Sequence, residues 1–481
     1  MGSREVEQRE TRVGKGVVRR AARRLVVALC VMAVACSLLA AISSAATHGW
    51  SPAIAVGGPR IQDLLFGPGN VPWVVFNDEP FYSSSPHPRA PQVARLTRRY
   101  ALVDRRPVPS VPGYESSVRL DLNQSGVGAA LSTLRPAGGG DLAPPISIGV
   151  SAWRPGKAPS QPVVLTHNTR EDESASIAIS ASGTTAVSYT TYQTEPEPKF
   201  VLDRLTGASI VSVHEVPIPS ADIPISTEVL ATSGGGFRAE WKLKSSDYLA
   251  GVETAEVSAG GVFSPDVFVP WPYGSNSLLI ANGIFRSDAR GDDVAIWPTK
   301  EPLFREGVEP AIEWDLASRS AGGTWTSPQL IGTTEGDDAN QIAVVIGPTG
   351  RFTVVWTSAQ PRQMVVGGAA GAQASNPTPL QTRPTGLTEG SPQLALTTTG
   401  RVVAVWNTYL DSKAEELTSV EAATSMDGIH FSKPQRISPN KRPMRGCLDE
   451  LLVPDRAGGA LAWWTCEHDG HQVNEYARYR P

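Results

Sequence analysis

Between Gln341 and Ser358 the chain reads QIAVVIGPTGRFTVVWTS. Apolar residues dominate Ile342–Ile346 and Phe352–Trp356, and GPTG lies between them. Each run is short and rich in β-branched residues, so the stretch predicts two strands joined by a tight turn in which Gly350 takes positive φ. The runs are nearly continuous in apolar residues instead of alternating, the pattern of strands covered on both faces. Downstream, QLALTTTGRVVAVWNTY repeats the form, and SIAISASGTTAVSYTTY carries it upstream.

The same pattern, a glycine with a large or apolar residue six positions on, recurs at Gly183/Tyr189, Gly235/Trp241, Gly291/Trp297, Gly350/Trp356, Gly400/Trp406 and Gly458/Trp464. Two weaker copies, Gly69/Val75 and Gly126/Ser132, precede them. Successive glycines are 57, 57, 52, 56, 59, 50 and 58 residues apart. A period near fifty suits a four-stranded propeller blade. The aromatic residue is then expected to fill the wedge between neighbouring blades. A second element follows most hairpins, an aromatic or serine and then proline before an apolar strand, at Pro162, Pro265, Pro328, Pro379 and Pro434. It reads as the outermost strand, where a missing N–H faces solvent.

After Gly458 only 23 residues remain, enough for a third strand in QVNEYARYR but not a fourth. GWSPAIAVG, residues 49–57, has the form of an outer strand and precedes the first hairpin. The pattern therefore predicts an all-β, eight-bladed propeller of four-stranded antiparallel blades, its ring closed by the N-terminal strand. Blades are expected to start near residues 60, 116, 173, 225, 275, 339, 390 and 447, within one domain spanning 47–481.

Thr424–Gln435, TSMDGIHFSKPQ, resembles the Asp-box of sialidase-type (BNR repeat) propellers through Ser425, Asp427, Gly428, Phe431 and Pro434. SRSAGGTWTSP, residues 318–328, is a degenerate second copy without the Asp. The resemblance implies a structural turn between third and fourth strands, away from any active site, with the Asp capping backbone N–H groups. It also implies where a sialidase would carry its chemistry: three arginines for a carboxylate, a Tyr–Glu pair and an Asp. Of the Arg-Ile motif before the first inner strand, Arg60 and Ile61 match, while Pro59 and Gln62 depart. Arg60 is the one catalytic candidate that motif supplies.

Charge and cysteine usage narrow the setting. Residues 1–24 carry eight Lys/Arg and three Asp/Glu, and an 18-residue apolar run, 25–42, follows. This predicts a signal peptide cut before Thr47 or a membrane anchor, with the rest exported in either case. Of 43 Lys/Arg and 47 Asp/Glu, 35 and 44 lie beyond residue 46, a net charge of about −9 that argues against nucleic-acid binding. The exported part retains Cys447 and Cys466. Folding the last hairpin about Arg456–Ala457 sets them opposite one another, as a disulfide in an oxidising compartment or as two free thiols.

Acidic residues gather where outer strands should cross to the next inner strand: Glu115, Glu173, Asp338 and Glu389. They read either as an acidic funnel for a cation, basic peptide or sugar, or as solvated turns. CEHDGH, residues 466–471, has no zinc spacing, and no metal or cofactor is expected. Two Pro/Gly/Ser-rich inserts, 77–91 and 135–145, are the natural places for grafted specificity, with Phe81 and Tyr82 as exposed aromatics. The expected function is a monomeric binding module for a glycan or protein at the cell envelope, and the competing class is a sialidase-like glycoside hydrolase.

Overall fold

The repeats fold into eight four-stranded antiparallel blades, strands numbered one to four from the axis outward. In chain order the first strands are Ile61–Phe66, Tyr114–Leu122, Ala175–Ile179, Asp222–Ala231, Ile284–Ser287, Ile342–Ile346, Leu387–Glu389 continued by Gln393–Leu396, and Met444–Pro454. First strands pack on one another from blade 1 to blade 4 and from blade 5 through blade 8 back to blade 1. The structure is a computed structural model that describes residues 49–56, 59, 61–76, 91–97, 100–109, 114–136, 146–169, 175–191, 199–218, 222–245, 249–270, 283–298, 311–335, 341–358, 362–380, 387–410, 413–438, 444–468 and 471–481. The propeller is the unit Trp50–Tyr479.

The last blade draws its strands from both ends of the chain. Its third strand, His471–Arg480, pairs outward with Ile54–Val56 in the register Ile54↔Tyr476 to Val56↔Asn474. Ser51 N–H donates to the Arg478 carbonyl at 2.9 Å, and buried Trp50 lies 5.6 Å from the Tyr479 ring. This closure gives the third strand of blade 8 a partner on its outer edge.

All eight repeat glycines, the two weak copies included, sit in the turn between first and second strands with φ from 66° to 89°. That conformation is costly for a residue with a Cβ. Three residues before the glycine, a short polar side chain caps the turn. Asn123, Ser180, Thr232, Asp288, Thr397 and Asp455 each accept the N–H of the residue four ahead, at 2.7–3.2 Å.

The turn between third and fourth strands is equally regular. Ser160, Thr326, Ser375 and Ser432 each accept, on the hydroxyl, the N–H of the residue eight before at 3.0–3.2 Å. Each returns its own N–H to that residue's carbonyl at 2.8–2.9 Å. Two residues beyond each hydroxyl stands a proline, Pro162, Pro328, Pro377 or Pro434, which leads into the outer strand.

The described first strand of blade 5 is Ile284–Ser287, and its expected start near 275 lies outside the described residues. The first strand of blade 7 is broken at Gly390–Pro392: Pro392 has no N–H to give the ladder, and Gly390 N–H turns to the Asn407 carbonyl at 2.8 Å.

Candidate functional site

The residue six after each repeat glycine lies inside a seam between blades. Tyr189, Trp241, Trp297, Trp356, Trp406 and Trp464 are all at most 4% exposed. Each packs with apolar residues of the preceding blade, as Trp241 does by stacking on Phe200 at 5.1 Å. Sealed in this way, they offer no platform for a ligand.

One seam is charged. On the second strand of blade 4, Phe237–Ser245, the residues facing blade 3 are Phe237, Ala239 and Trp241. The alternate residues Arg238 and Glu240 face blade 5, both buried. Arg238 Nε donates to Glu240 Oε1 at 2.9 Å and Nη1 to Glu256 Oε1 at 2.8 Å, while Nη2 lies 3.9 Å from Asp293 Oδ1. Asp293 is fully buried and also accepts from Arg319 and from the Ser287 hydroxyl. Burial pushes the Glu240 carboxyl up to about 7, against the opposing pull of Arg238. Gly291 makes room for this network, since a Cβ there would stand 2.7 Å from Arg238 Nη1. The alternation of the strand is plain in the sequence, but its charged partners on blade 5 are not.

The Asp-box turn joins the third strand of blade 7, Lys413–Ser425, to its fourth, Gln435–Arg436. Asp427 Oδ1 accepts the N–H groups of Ile429 and His430 at 2.9 and 2.8 Å and the Ser425 hydroxyl at 2.9 Å. Gly428, at φ 78°, donates its N–H to Ser425 Oγ at 2.9 Å. Phe431 bridges back to Ser425. The hydrogen bond with His430 and those of the turn hold the Asp427 carboxyl well below the usual carboxylate range. The turn plugs onto blade 6, where Arg351 donates to the Asp427 carbonyl at 2.8 Å and Thr353 to that of Gly428 at 3.0 Å.

Other charged side chains also join blades. Asp63 and Asp121, on the first strands of blades 1 and 2, accept the N–H of Leu120 and Ile179 on the next first strand. Burial raises both carboxyls. Arg456 crosses the closing seam: its N–H donates to Asn70 Oδ1 at 2.8 Å and its Nε to the Phe66 carbonyl at 3.0 Å. Arg204 of blade 3 donates to the Ala259 carbonyl of blade 4 at 3.0 Å, while within blade 8 Arg478 pairs with Asp455 at 2.7 Å. These groups are engaged in holding the ring.

Of the sequence-selected site residues, Arg60, Glu173 and Asp338 lie outside the described residues, as do Phe81 and Tyr82. Glu115 is the second residue of the first strand of blade 2, and Glu389 ends the first segment of that of blade 7. They therefore belong to inner strands and not to the crossings. Cys466 is buried. The register Leu448↔Thr465 sets Cys447 across from it, while the Cys447 side chain lies outside those described. No cluster of metal-ligating side chains occurs among the described residues.

The two ends of the strands differ in their connections. Between first and second strands the link is four or five residues in every blade, from Phe66/Pro72 to Pro454/Ala460. At the opposite end, second and third strands are separated by 15, nine, seven and 12 residues in blades 1, 2, 3 and 5, and by three, three, two and two in blades 4, 6, 7 and 8.

No family model and no curated protein matches this chain. Among solved structures it is similar to a lectin from Burkholderia pseudomallei, at 10% identity over 79% of this chain and 99% of that one, with a TM-score of 0.40. A eukaryotic initiation factor shares 11% identity over 89% and 92% of the two chains, with a TM-score of 0.44. Trypanosoma rangeli sialidase shares 11% over 89% of this chain and 59% of its own, with a TM-score of 0.33.

Proposed function

We propose that this protein is an exported β-propeller acting as a binding module at the cell envelope, with a glycan or a protein as ligand. The observation that carries the reading is the contrast in connections. Links at the glycine-turn end hold one length around the ring, whereas those at the other end run from two residues to 15. Specificity is ordinarily carried by variable loops on a rigid scaffold. Blades 1, 2, 3 and 5 would supply the ligand contacts. The basic flank and the apolar run 25–42 would direct export, and a Cys447–Cys466 disulfide would tie the closing blade in that oxidising setting. The chain would act as a monomer. A sialidase-like exo-glycosidase is the second reading, suggested by the resemblance of Thr424–Gln435 to the turn of that family and by Arg60.

The test is a glycan array and a fluorogenic sialoside assay on the chain from Thr47, beside a variant whose 77–90 connection is replaced by a short Gly-Ser link. Binding that disappears in the variant, without sialoside turnover, is the expected result. Turnover would establish the hydrolase reading, and binding unaffected by the replacement would remove blade 1 from the site. Fractionation of cells with N-terminal sequencing checks export separately, with Thr47 the expected first residue of a cleaved product.

A further inference from the structure

We propose that the outer edge of blade 1, with the adjoining turn of blade 2, is a cationic surface that docks on anionic phospholipid headgroups. The fourth strand of blade 1, Leu102–Pro107, is bulged: Val93 pairs with Arg106 and Arg95 with Val103, so Asp104 and Arg105 together oppose Ala94. Such a bulge re-aims side chains along an edge. Asp104 takes φ 53° there and pairs with Arg95. Arg105 is exposed, and Arg106 reaches across to the Lys157 carbonyl in the turn between third and fourth strands of blade 2. That turn exposes Arg154 and Lys157, whose backbones are linked at 3.0 Å. Arg95, Arg105, Arg106, Arg154 and Lys157 thus form one continuous edge, with Asp104 as its acidic partner.

This edge stands against the charge of the molecule, since the part beyond residue 46 carries 35 Lys/Arg and 44 Asp/Glu. Guanidinium groups match phosphate geometry, and each cation near an anionic bilayer strengthens binding roughly fivefold. A lipid surface is preferred to a soluble polyanion because of where the chain enters the ring. Trp50 joins the outer side of blade 8, the neighbour of blade 1. Seven residues separate it from Ile42, the end of the apolar run, at most about 28 Å of extended chain. This choice of occupant rests on the envelope reading above; the cationic edge itself does not.

The test is co-sedimentation with vesicles of phosphatidylcholine alone and of phosphatidylcholine with about 30 mol% phosphatidylglycerol. It uses the chain from Thr47, because residues 25–42 would enter any bilayer and the ring is complete without them. Binding to the anionic vesicles alone, released by about 0.5 M salt, is expected. Arg105→Glu/Arg154→Glu/Lys157→Glu should weaken it by well over about a hundredfold, the loss expected for removing three cations without reversing them. Arg105→Gln/Arg154→Gln/Lys157→Gln should fall between, and unchanged melting of both variants excludes unfolding as the cause. Equal binding to neutral vesicles, no vesicle binding, or undiminished binding of the triple Glu variant would overturn the proposal. Capture by immobilised polyphosphate without vesicle binding would overturn it in favour of a soluble polyanion. Envelope targeting is read separately by fractionation, so failure of that reading and failure of the lipid-docking edge are distinguishable.

Discussion

The second strand of blade 4 presents two unlike faces to its neighbours. Toward blade 3, Phe237, Ala239 and Trp241 join Phe200, Leu202 and Val216 in an apolar cluster. Toward blade 5, buried Arg238 and Glu240 enter a network with exposed Glu256, buried Asp293 and part-buried Arg319. The same strand therefore meets blade 3 with apolar packing alone and blade 5 with charged groups beside an apolar cluster. Apolar packing tolerates small rotations between blades, whereas a buried pair is satisfied at few geometries and is destabilising when half broken. Across the seam itself, Arg238 and Asp293 lie 3.9 Å apart beside an apolar cluster of Val252, Val269 and Trp297.

The largest effect should come from the apolar side. Trp241→Ala removes a fully buried indole and should lower the unfolding free energy by about 3–5 kcal/mol in urea titration. A loss under about 1 kcal/mol would mean the seam collapses around the gap and the contrast is weaker than described. Arg238→Met should cost about 3 kcal/mol by leaving buried carboxylates unpaired, and Arg238→Met/Glu240→Leu should recover most of it. Failure of the double variant to recover would show that Asp293 also depends on Arg238.

Glycine substitutions sharpen the comparison at smaller scale. Gly400 and Gly291 have φ of 80° and 89°, yet a Cβ at Gly400 would meet no atom within 4 Å. Gly400→Ala should cost about 1 kcal/mol from conformation alone, and Gly291→Ala should cost more because Arg238 must also move. Equal melting shifts would indicate a loose charged seam.

The pH dependence separates two acids of opposite environment. Glu240 has its carboxyl raised from 4.5 to about 7, so the fold disfavours its ionised form. The unfolded chain ionises first, and stability falls as pH rises from about 4.5 to about 7. Glu240→Gln should reduce that fall in melting curves across the window, and an unchanged slope would place the sensitivity elsewhere. Asp427 is shifted the other way, so its contribution is present above its ordinary value of 3.8 and is lost as pH falls through its lower folded value. It is partly exposed, and Asp427→Asn should cost no more than about 1 kcal/mol, chiefly above pH 4.

Much of this scaffold is legible because it is local. The glycine of each first turn is required by positive φ, so even the weak copies at Gly69 and Gly126 mark real turns. The polar residue three positions earlier and the hydroxyl two positions before proline were available as signals too, and each has a backbone hydrogen bond as its cause. The candidate site was far less legible. Glu115 and Glu389 stand beside the ends of first-strand segments, and such ends carry no sharp sequence mark. Charge alternation in FRAEWK showed that Arg238 and Glu240 share a face, but not that Asp293, more than fifty residues on, completes their network.

By itself, then, the sequence determined the repeat, its turns, the aromatic position of each blade and the strand form at residues 49–57 that closes the ring. Those follow from φ preference, side-chain periodicity and edge hydrogen bonding, all of which act within a few residues. Only the tertiary structure decided which seams are charged, and that an arginine edge on blade 1 meets the basic turn of blade 2. Those depend on side chains about fifty residues apart being brought together by packing, for which no local pattern exists.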